Sequence, residues 1–264
     1  MPDENKRENT RWSYSRASCF DNCKYEYYLQ YIVRDPDTYL SEGNFYAEIG
    51  GYCHEILAMI FRGELKKEDA ARYFEDNYGF HVFYQASQSA MENAYSSCLS
   101  YFNNIDLSWL KPYDVVGVEL EKEFCYKNLS FIGIIDLLLR DKKDGKFVIM
   151  DHKSSSYPFK KDGGLKKHSE SAFETYKRQM YLYCYAVKTD YGDFPKKIIW
   201  NHFKDGGKLA EIPFDESEYR RSLDWYVKVI ADANKEEDYE PSQDFFYCKN
   251  LCNFRNSCEY AKGW

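Results

Sequence analysis

GIIDLLLRDKKDGKFVIMDHKSSS, residues 133–156, decides the fold. Leu129 to Arg140 is nearly continuous in apolar residues and reads as a strand, and DKKDG at 141–145 reads as a turn. Lys146 to Lys153 reads as the next strand, apolar on both faces and therefore central in its sheet. Asp136 sits inside the first apolar run, where an ionised carboxylate is costly unless it is paired or bound to a cation. Asp151 and Lys153 are two apart and share a face. If the turn pairs Asp141 with Lys146, Asp136 lies across from Asp151. A tighter turn centred on Asp144-Gly145 puts Asp136 across from Lys153. Either register brings all three side chains to one face, and a one-residue slip would separate them.

Outward from this hairpin the pattern is mixed. Towards the N-terminus, Val115 to Tyr126 alternates as a strand. Before it come helical stretches: Ser13 or Ser15 to about Tyr31, stopped by Asp35-Pro36-Asp37; Tyr52 to Arg62, after Gly50-Gly51; and residues 67–105. Towards the C-terminus, a Lys/Gly-rich loop leads to a helix from about Glu170 to Val187. Strands over Lys196–Phe203 and Leu209–Phe214 follow, then a helix to about Asn234 and a short, loop-like tail. The fold class expected is α/β, a mixed central sheet flanked by helices. The expected organisation is one domain over 1–264: a mainly helical part at 12–110, a catalytic αβ core at 112–204, and a C-terminal helix with a cysteine cluster at 205–264.

Two carboxylates and an ammonium at one point suit Mg²⁺ or Mn²⁺. The chemistry that uses such a set is phosphodiester hydrolysis by a metal-activated water, with the lysine orienting the water or offsetting phosphorane charge. A buried Asp–Lys pair that merely holds a hairpin is the structural alternative. The pattern D-x14-D-H-K on adjacent strands, in the order helix, three strands, helix, strand, resembles the PD-(D/E)XK nucleases in the variant whose second acid is Asp. The resemblance implies that Asp136 and Asp151 are metal ligands, that Lys153 is the catalytic lysine, and that the backbone carbonyl of His152 is a further ligand. Gly51-Tyr52-Cys53-His54-Glu55 is similar to the helix of RecB-type nucleases whose histidine joins the metal shell, which implies His54 as a ligand. Gln179 and Tyr183, four apart on one helix face, resemble the Q-x3-Y motif of the same group, which implies a positioning role beside the active site.

The nine cysteines read as thiols or metal ligands, because a chain without a visible secretory signal is expected in the reducing cytoplasm. Cys248, Cys252 and Cys258 form C-x3-C-x5-C, one ligand short of a four-thiolate site, with Cys19 and Cys23 as candidates for the fourth. SYSRASCFDNCKYEYYLQYI resembles the opening of AddB-type and CRISPR-associated iron–sulfur nucleases, with Cys23 as the aligned ligand. That resemblance implies a [4Fe–4S] cluster held by Cys23, Cys248, Cys252 and Cys258. The family spacing is C-x2-C-x5-C with Pro after the first cysteine; here the gap is three and Lys24 follows, so Cys19 and Zn²⁺ stay open. Cys53, Cys98, Cys125 and Cys184 read as small buried hydrophobes.

The 264-residue chain carries 36 basic and 43 acidic residues, a net charge of -7, which disfavours coating of nucleic acid by bulk charge and leaves a local basic groove open. Lys160-Lys161, Lys166-Lys167-His168 and Lys177-Arg178 are candidates to track phosphates, or are solvated loop lysines. No apolar stretch is long enough to span a bilayer, so no membrane partner is expected. The expected activity is a metal-dependent DNA exonuclease acting on ends or single strands. With no G-x4-G-K-[ST] loop, unwinding would need a helicase or another recombination, CRISPR or phage replication partner. The alternative is a non-catalytic DNA-binding or assembly subunit with a structural metal cluster.

Overall fold

The computed structural model describes residues 10–34 and 44–261. The Asp35-Pro36-Asp37 stop and most of the polar stretch 1–11 lie outside the described residues. Six strands, β1 (Arg11–Trp12), β2 (Tyr113–Tyr126), β3 (Leu129–Asp141), β4 (Phe147–Lys153), β5 (Lys197–His202) and β6 (Lys208–Pro213), form one sheet. Its order is β1-β3-β4-β5-β6, with β2 also paired to β3. β3 and β4 are antiparallel, β4 and β5 parallel, β5 and β6 antiparallel, so the sheet is mixed as expected. The helices in chain order are α1 (Tyr14–Asn22), α2 (Lys24–Tyr27), α3 (Phe45–Arg62), α4 (Ala70–His81), α5 (Gln88–Asn103), α6 (Glu170–Tyr191), α7 (Glu216–Lys235) and α8 (Phe245–Asn250). None of them is long and apolar enough to cross a membrane. The residues group into two compact units, one of 45–124 and 133–222 and one of 1–44, 125–132 and 223–264.

In the larger unit, β4 is buried on both faces from Phe147 to His152, because β3 and β5 flank it and helices cover it. Each large apolar side chain buried there contributes about 1.5–3 kcal/mol. The β3–β4 turn is fixed by its own aspartates. Lys143 N–H donates to Asp141 Oδ1 (2.8 Å), Lys146 N–H donates to Asp144 Oδ1 (3.0 Å), and Gly145 takes φ 72°. The pairs run from Arg140 opposite Phe147 to Leu137 opposite Met150. Continued one step, this register puts Asp136 across from Asp151, the first of the two expected arrangements.

The helix expected to start after Gly50-Gly51 instead begins at Phe45 and runs through both glycines. Phe45, Ile49, Tyr52, Ile56 and Leu57 bury one face of α3 in a core with Phe74 and Phe102, and this packing outweighs the roughly 1 kcal/mol each glycine costs a helix. His54 is therefore mid-helix rather than near its start. In α6, Met180, Leu182, Cys184 and Val187 are fully buried, and Gly192 at φ 84° ends the helix.

In the smaller unit, the single helix expected to Tyr31 is interrupted at Cys23. Ser13 caps α1, Cys23 is extended (φ -155°), and its thiol accepts from Glu26 N–H (3.4 Å) to start α2; a π-helical turn at Tyr28–Val33 follows. The tail expected to be loop-like contains α8, capped by Asp244, whose carboxylate accepts from Tyr247 N–H (3.0 Å). Of the four cysteines expected to be buried, Cys53, Cys98 and Cys184 are; Cys125 is exposed near the β2–β3 turn.

Candidate active site

β3, β4, α3 and α6 of the larger unit deliver their polar side chains to one open cleft of about 620 Å³, lined among others by His54, Glu119, Asp136, Asp151, Lys153 and Gln179. Small residues of α3, Ala47, Gly50, Gly51 and Ala58, form part of its wall. The glycine pair that disfavours the helix is what keeps this wall low.

Lys153 Nζ is the hub. It donates to Asp151 Oδ1 (3.0 Å) and to Gln179 Oε1 (3.0 Å), and it lies 4.8 Å from the centre of the Tyr176 ring. Gln179 Nε2 in turn donates to Tyr183 OH (3.4 Å). The spacing of four in Gln179-x3-Tyr183 thus works as a relay from the lysine along α6. Gly133 makes room for it: a Cβ there would stand 2.4 Å from Tyr183 Cε1, so the ring lies directly on the β3 backbone.

Asp136 is held by two donors. His152 N–H donates to its Oδ2 (2.7 Å), and His54 Nδ1 lies 3.2 Å from the same oxygen. Burial pushes the Asp136 carboxyl up, but the His54 hydrogen bond and charge outweigh it and hold the group down at about 2. Burial disfavours the His54 cation, yet the Asp136 carboxylate raises it above the usual imidazole range. Asp151 behaves oppositely: burial dominates and pushes it up to about 6, despite Lys153 beside it. Burial works against the Lys153 ammonium, and Asp151 more than compensates. Asp151 Oδ2 is 2.8 Å from Lys153 Nζ but off the hydrogen-bonding direction, and it has no hydrogen-bond partner. The His152 ring points away from this chemistry. It stacks on Phe61 (5.7 Å, 3°), its Nδ1 lies 3.0 Å from Asn201 Nδ2, and burial pushes it down to about 3.

One residue of the cleft belongs to no sequence motif. Glu119, within the alternating run of β2, adopts φ 48°. Residues 117–120 are all half-buried, so the alternation is interrupted there. One ligand atom each from His54, Glu119 and Asp136 lie within 4.8 Å of one another, the sole such metal-capable group among the described residues. Asp151 is outside that trio. Val116, Val118 and Leu120 alternate with Gly117, Glu119 and Glu121, so the sequence marks Glu119 as nothing more than a polar strand position. A buried carboxylate paired with one ammonium, next to a His–carboxylate cluster, is a donor set that fits a divalent cation.

Two of the basic-cluster lysines are bonded within the protein. Lys166 Nζ donates to Tyr157 O (2.7 Å), and Lys177 pairs with Glu174 (2.5 Å) and Glu218 (2.8 Å). Arg62, exposed at the end of α3, lines the cleft instead.

The smaller unit holds the second cluster. Cys23, Cys248, Cys252 and Cys258 line one small cavity of about 20 Å³ together with Leu29 and Phe254. Cys23 Sγ accepts from Glu26 N–H and Ser242 N–H (3.3 Å), and Cys252 Sγ accepts from Phe254 N–H (3.4 Å). Cys19 does not line this cavity; its thiol faces Gln30 Oε1 at 3.9 Å. Buried Glu26 ties the cluster's two chain segments, accepting from Asn253 N–H (2.9 Å) and from the Tyr247 hydroxyl.

The profile of the PD-(D/E)XK nuclease superfamily matches residues 11–259. Among solved structures, the chain is similar to a provisionally named exonuclease from Eubacterium rectale, with a TM-score of 0.56 at 12% identity over 99% of this chain and 90% of that one. A second solved protein, SSO0001, aligns over 89% of this chain and 92% of its own at 15% identity and a TM-score of 0.30. No curated protein matches the chain. The hairpin register, the cleft it opens and a profile match over nearly the whole length agree, and the chain belongs to the PD-(D/E)XK nuclease superfamily.

Proposed function

We propose that this nuclease is a metal-dependent deoxyribonuclease, an exonuclease of the RecB/AddB-like iron–sulfur kind that acts on DNA ends or single strands. The observation that carries the reading is the convergence of Asp136, Asp151 and Lys153 in one cleft, with Asp151 buried against the Lys153 ammonium. The Eubacterium rectale neighbour, provisionally named as an exonuclease, supports the exonuclease reading.

Asp136, Asp151, His54 and the carbonyl of His152 would hold the cation, Mg²⁺ or Mn²⁺, with the imidazole favouring Mn²⁺. When bound, the cation supplies Lewis-acid polarisation of the phosphate and acidifies the attacking water. Lys153 orients that water and offsets charge growing on the phosphate oxygens; its ammonium is held in place by Asp151 and Gln179. Gln179 is fixed between Lys153 and Tyr183, so its role is positioning. Tyr183 stiffens that amide from below, its hydroxyl held neutral because burial pushes it up to about 12.

For the thiols we propose a [4Fe–4S] cluster on Cys23, Cys248, Cys252 and Cys258. Tetrahedral zinc with bonds of about 2.3 Å needs sulfurs about 3.8 Å apart. The placement of these four thiols around one small cavity supports a shared metal, and the resemblance to the iron–sulfur nucleases favours the cluster over zinc. A helicase or another recombination, CRISPR or phage replication protein would supply the ends or single strands.

The test uses anaerobically purified protein with Mn²⁺ on end-labelled linear single- and double-stranded DNA and on closed circular single strands. Progressive shortening of linear DNA, intact circles and no activity in Asp151→Ala are expected. Cutting of circles would overturn the exonuclease assignment. No cleavage by folded, metal-loaded wild type would favour a binding or assembly subunit.

A further inference from the structure

Glu119 is the cleft residue for which neither the superfamily motifs nor the relay through Lys153 has a use. Its carboxylate has no hydrogen-bond or ion-pair partner among the described residues. The neighbouring Asp136 carboxylate, by contrast, is held by His152 N–H and His54. Two carboxylates at this separation repel unless a cation lies between them. Lys153 is committed to Asp151 and Gln179, Arg62 makes no ion pair with Glu119, and His54, the nearest cationic group, is already bonded to Asp136. Asp151, only 3% exposed, has both of its carboxylate oxygens within 3.0 Å of the one Lys153 ammonium. The cleft therefore presents more carboxylate oxygen than its own donors satisfy.

The backbone brings Glu119 there at a cost. Non-glycine residues other than Asn and Asp rarely take a left-handed φ, and a glutamate at φ 48° inside a strand is a strained choice. Were Glu119 part of an ordinary polar strand face, this strain would serve nothing.

We propose that Glu119 is a metal ligand: with His54 and Asp136 it offers one imidazole nitrogen and two carboxylate oxygens to a divalent cation. This donor set suits Mn²⁺ better than a purely oxygen site does. The inference rests on the metal-dependent reading above, but it concerns binding and not cleavage.

The experiment is a Mn²⁺ titration of the full chain without DNA, following free Mn²⁺ by electron paramagnetic resonance. Glu119→Gln is expected to weaken Mn²⁺ at least tenfold. Glu119→Asn, which tolerates the left-handed backbone, is expected to do the same while the metal-free protein melts no lower than wild type. Glu121→Gln, exposed on the same strand and outside the cleft, is expected to bind as wild type does. Wild-type affinity in both Glu119 variants would overturn the proposal. DNA cleavage is scored separately. Glu119-dependent Mn²⁺ binding without cleavage would sink the nuclease reading and keep the ligand; cleavage with unchanged affinity in the Glu119 variants would do the reverse.

Discussion

The cleft and the thiol cavity offer ligands of opposite character. In the cleft, charged groups already hold one another in the absence of metal: Asp136 sits low against His54, and Lys153 is pinned between Asp151 and Gln179. The side chains come from regular strands and helices, and the site is open. In the cavity, burial pushes the Cys252 and Cys248 thiols up, so they are neutral among Tyr25, Leu29 and Phe254. Those thiols are carried by a helix break, a six-residue helix and turns. The difference teaches which metal is exchangeable. The cleft is organised in advance and can take up and release a cation. The cavity would gain charge-assisted bonding only once a metal displaced the thiol protons, so the proposed metal would be part of the fold.

The largest expected effect breaks the cavity side of this contrast. On the proposed cluster, Cys252→Ser would remove one ligand, and structural metal sites contribute on the order of 10 kcal/mol in small metal-dependent units. The variant is expected to lose bound metal and to be cut by protease within residues 223–264. Full metal content and wild-type resistance, measured by metal analysis and limited proteolysis, would show the thiols to be ordinary core residues.

A smaller effect is expected on the cleft side from Gly133→Ala. The new Cβ meets the Tyr183 ring at 2.4 Å, and forced overpacking of this kind costs about 1–3 kcal/mol. Displacing the ring also loosens the hold on Gln179, so cleavage is expected to fall more than tenfold while Mn²⁺ affinity changes little. Melting and single-turnover rates measured together check this; equal loss of affinity and rate would place Tyr183 in metal binding.

The smallest effect is a pH dependence. Asp151 is raised to about 6, so in the metal-free protein it takes up a proton as pH falls through that value, and the proton competes with the cation. The sign for stability is the reverse. A carboxyl whose folded value lies above its unfolded one stabilises the metal-free fold fully below about pH 4, and that contribution is lost as pH rises through 6. Mn²⁺ affinity is expected to drop about tenfold per pH unit below 6, about 1.4 kcal/mol per unit, and to flatten in Asp151→Asn. Calorimetric titration from pH 5 to 8 reads it directly.

The hairpin was legible in the sequence because its signals are local. An acid in an apolar run, a DKKDG turn and D-H-K at 151–153 fix the shared face within 24 residues, while the choice between the two registers stayed open. Gln179 and Tyr183 were legible for the same reason, one helical turn apart. What was hidden depends on distant partners. The need for Gly133 arises from Tyr183, fifty positions on. The strand position of Glu119 reads as ordinary alternation, because a left-handed φ at a glutamate leaves no mark in composition. Helix α3 runs through Gly50-Gly51 because of burial that propensity does not see, and the interruption at Cys23 follows from its thiol capping the next helix.

The most direct measurement is single-turnover cleavage of end-labelled single-stranded DNA by wild type and Lys153→Ala at saturating Mn²⁺, with Mn²⁺ and DNA binding measured on the same samples. The account expects both proteins to bind metal and DNA, with cleavage by the variant reduced roughly 10²–10³-fold, the scale of losing one charge-stabilising donor. Wild-type cleavage in Lys153→Ala would contradict it and move the chemistry out of this cleft.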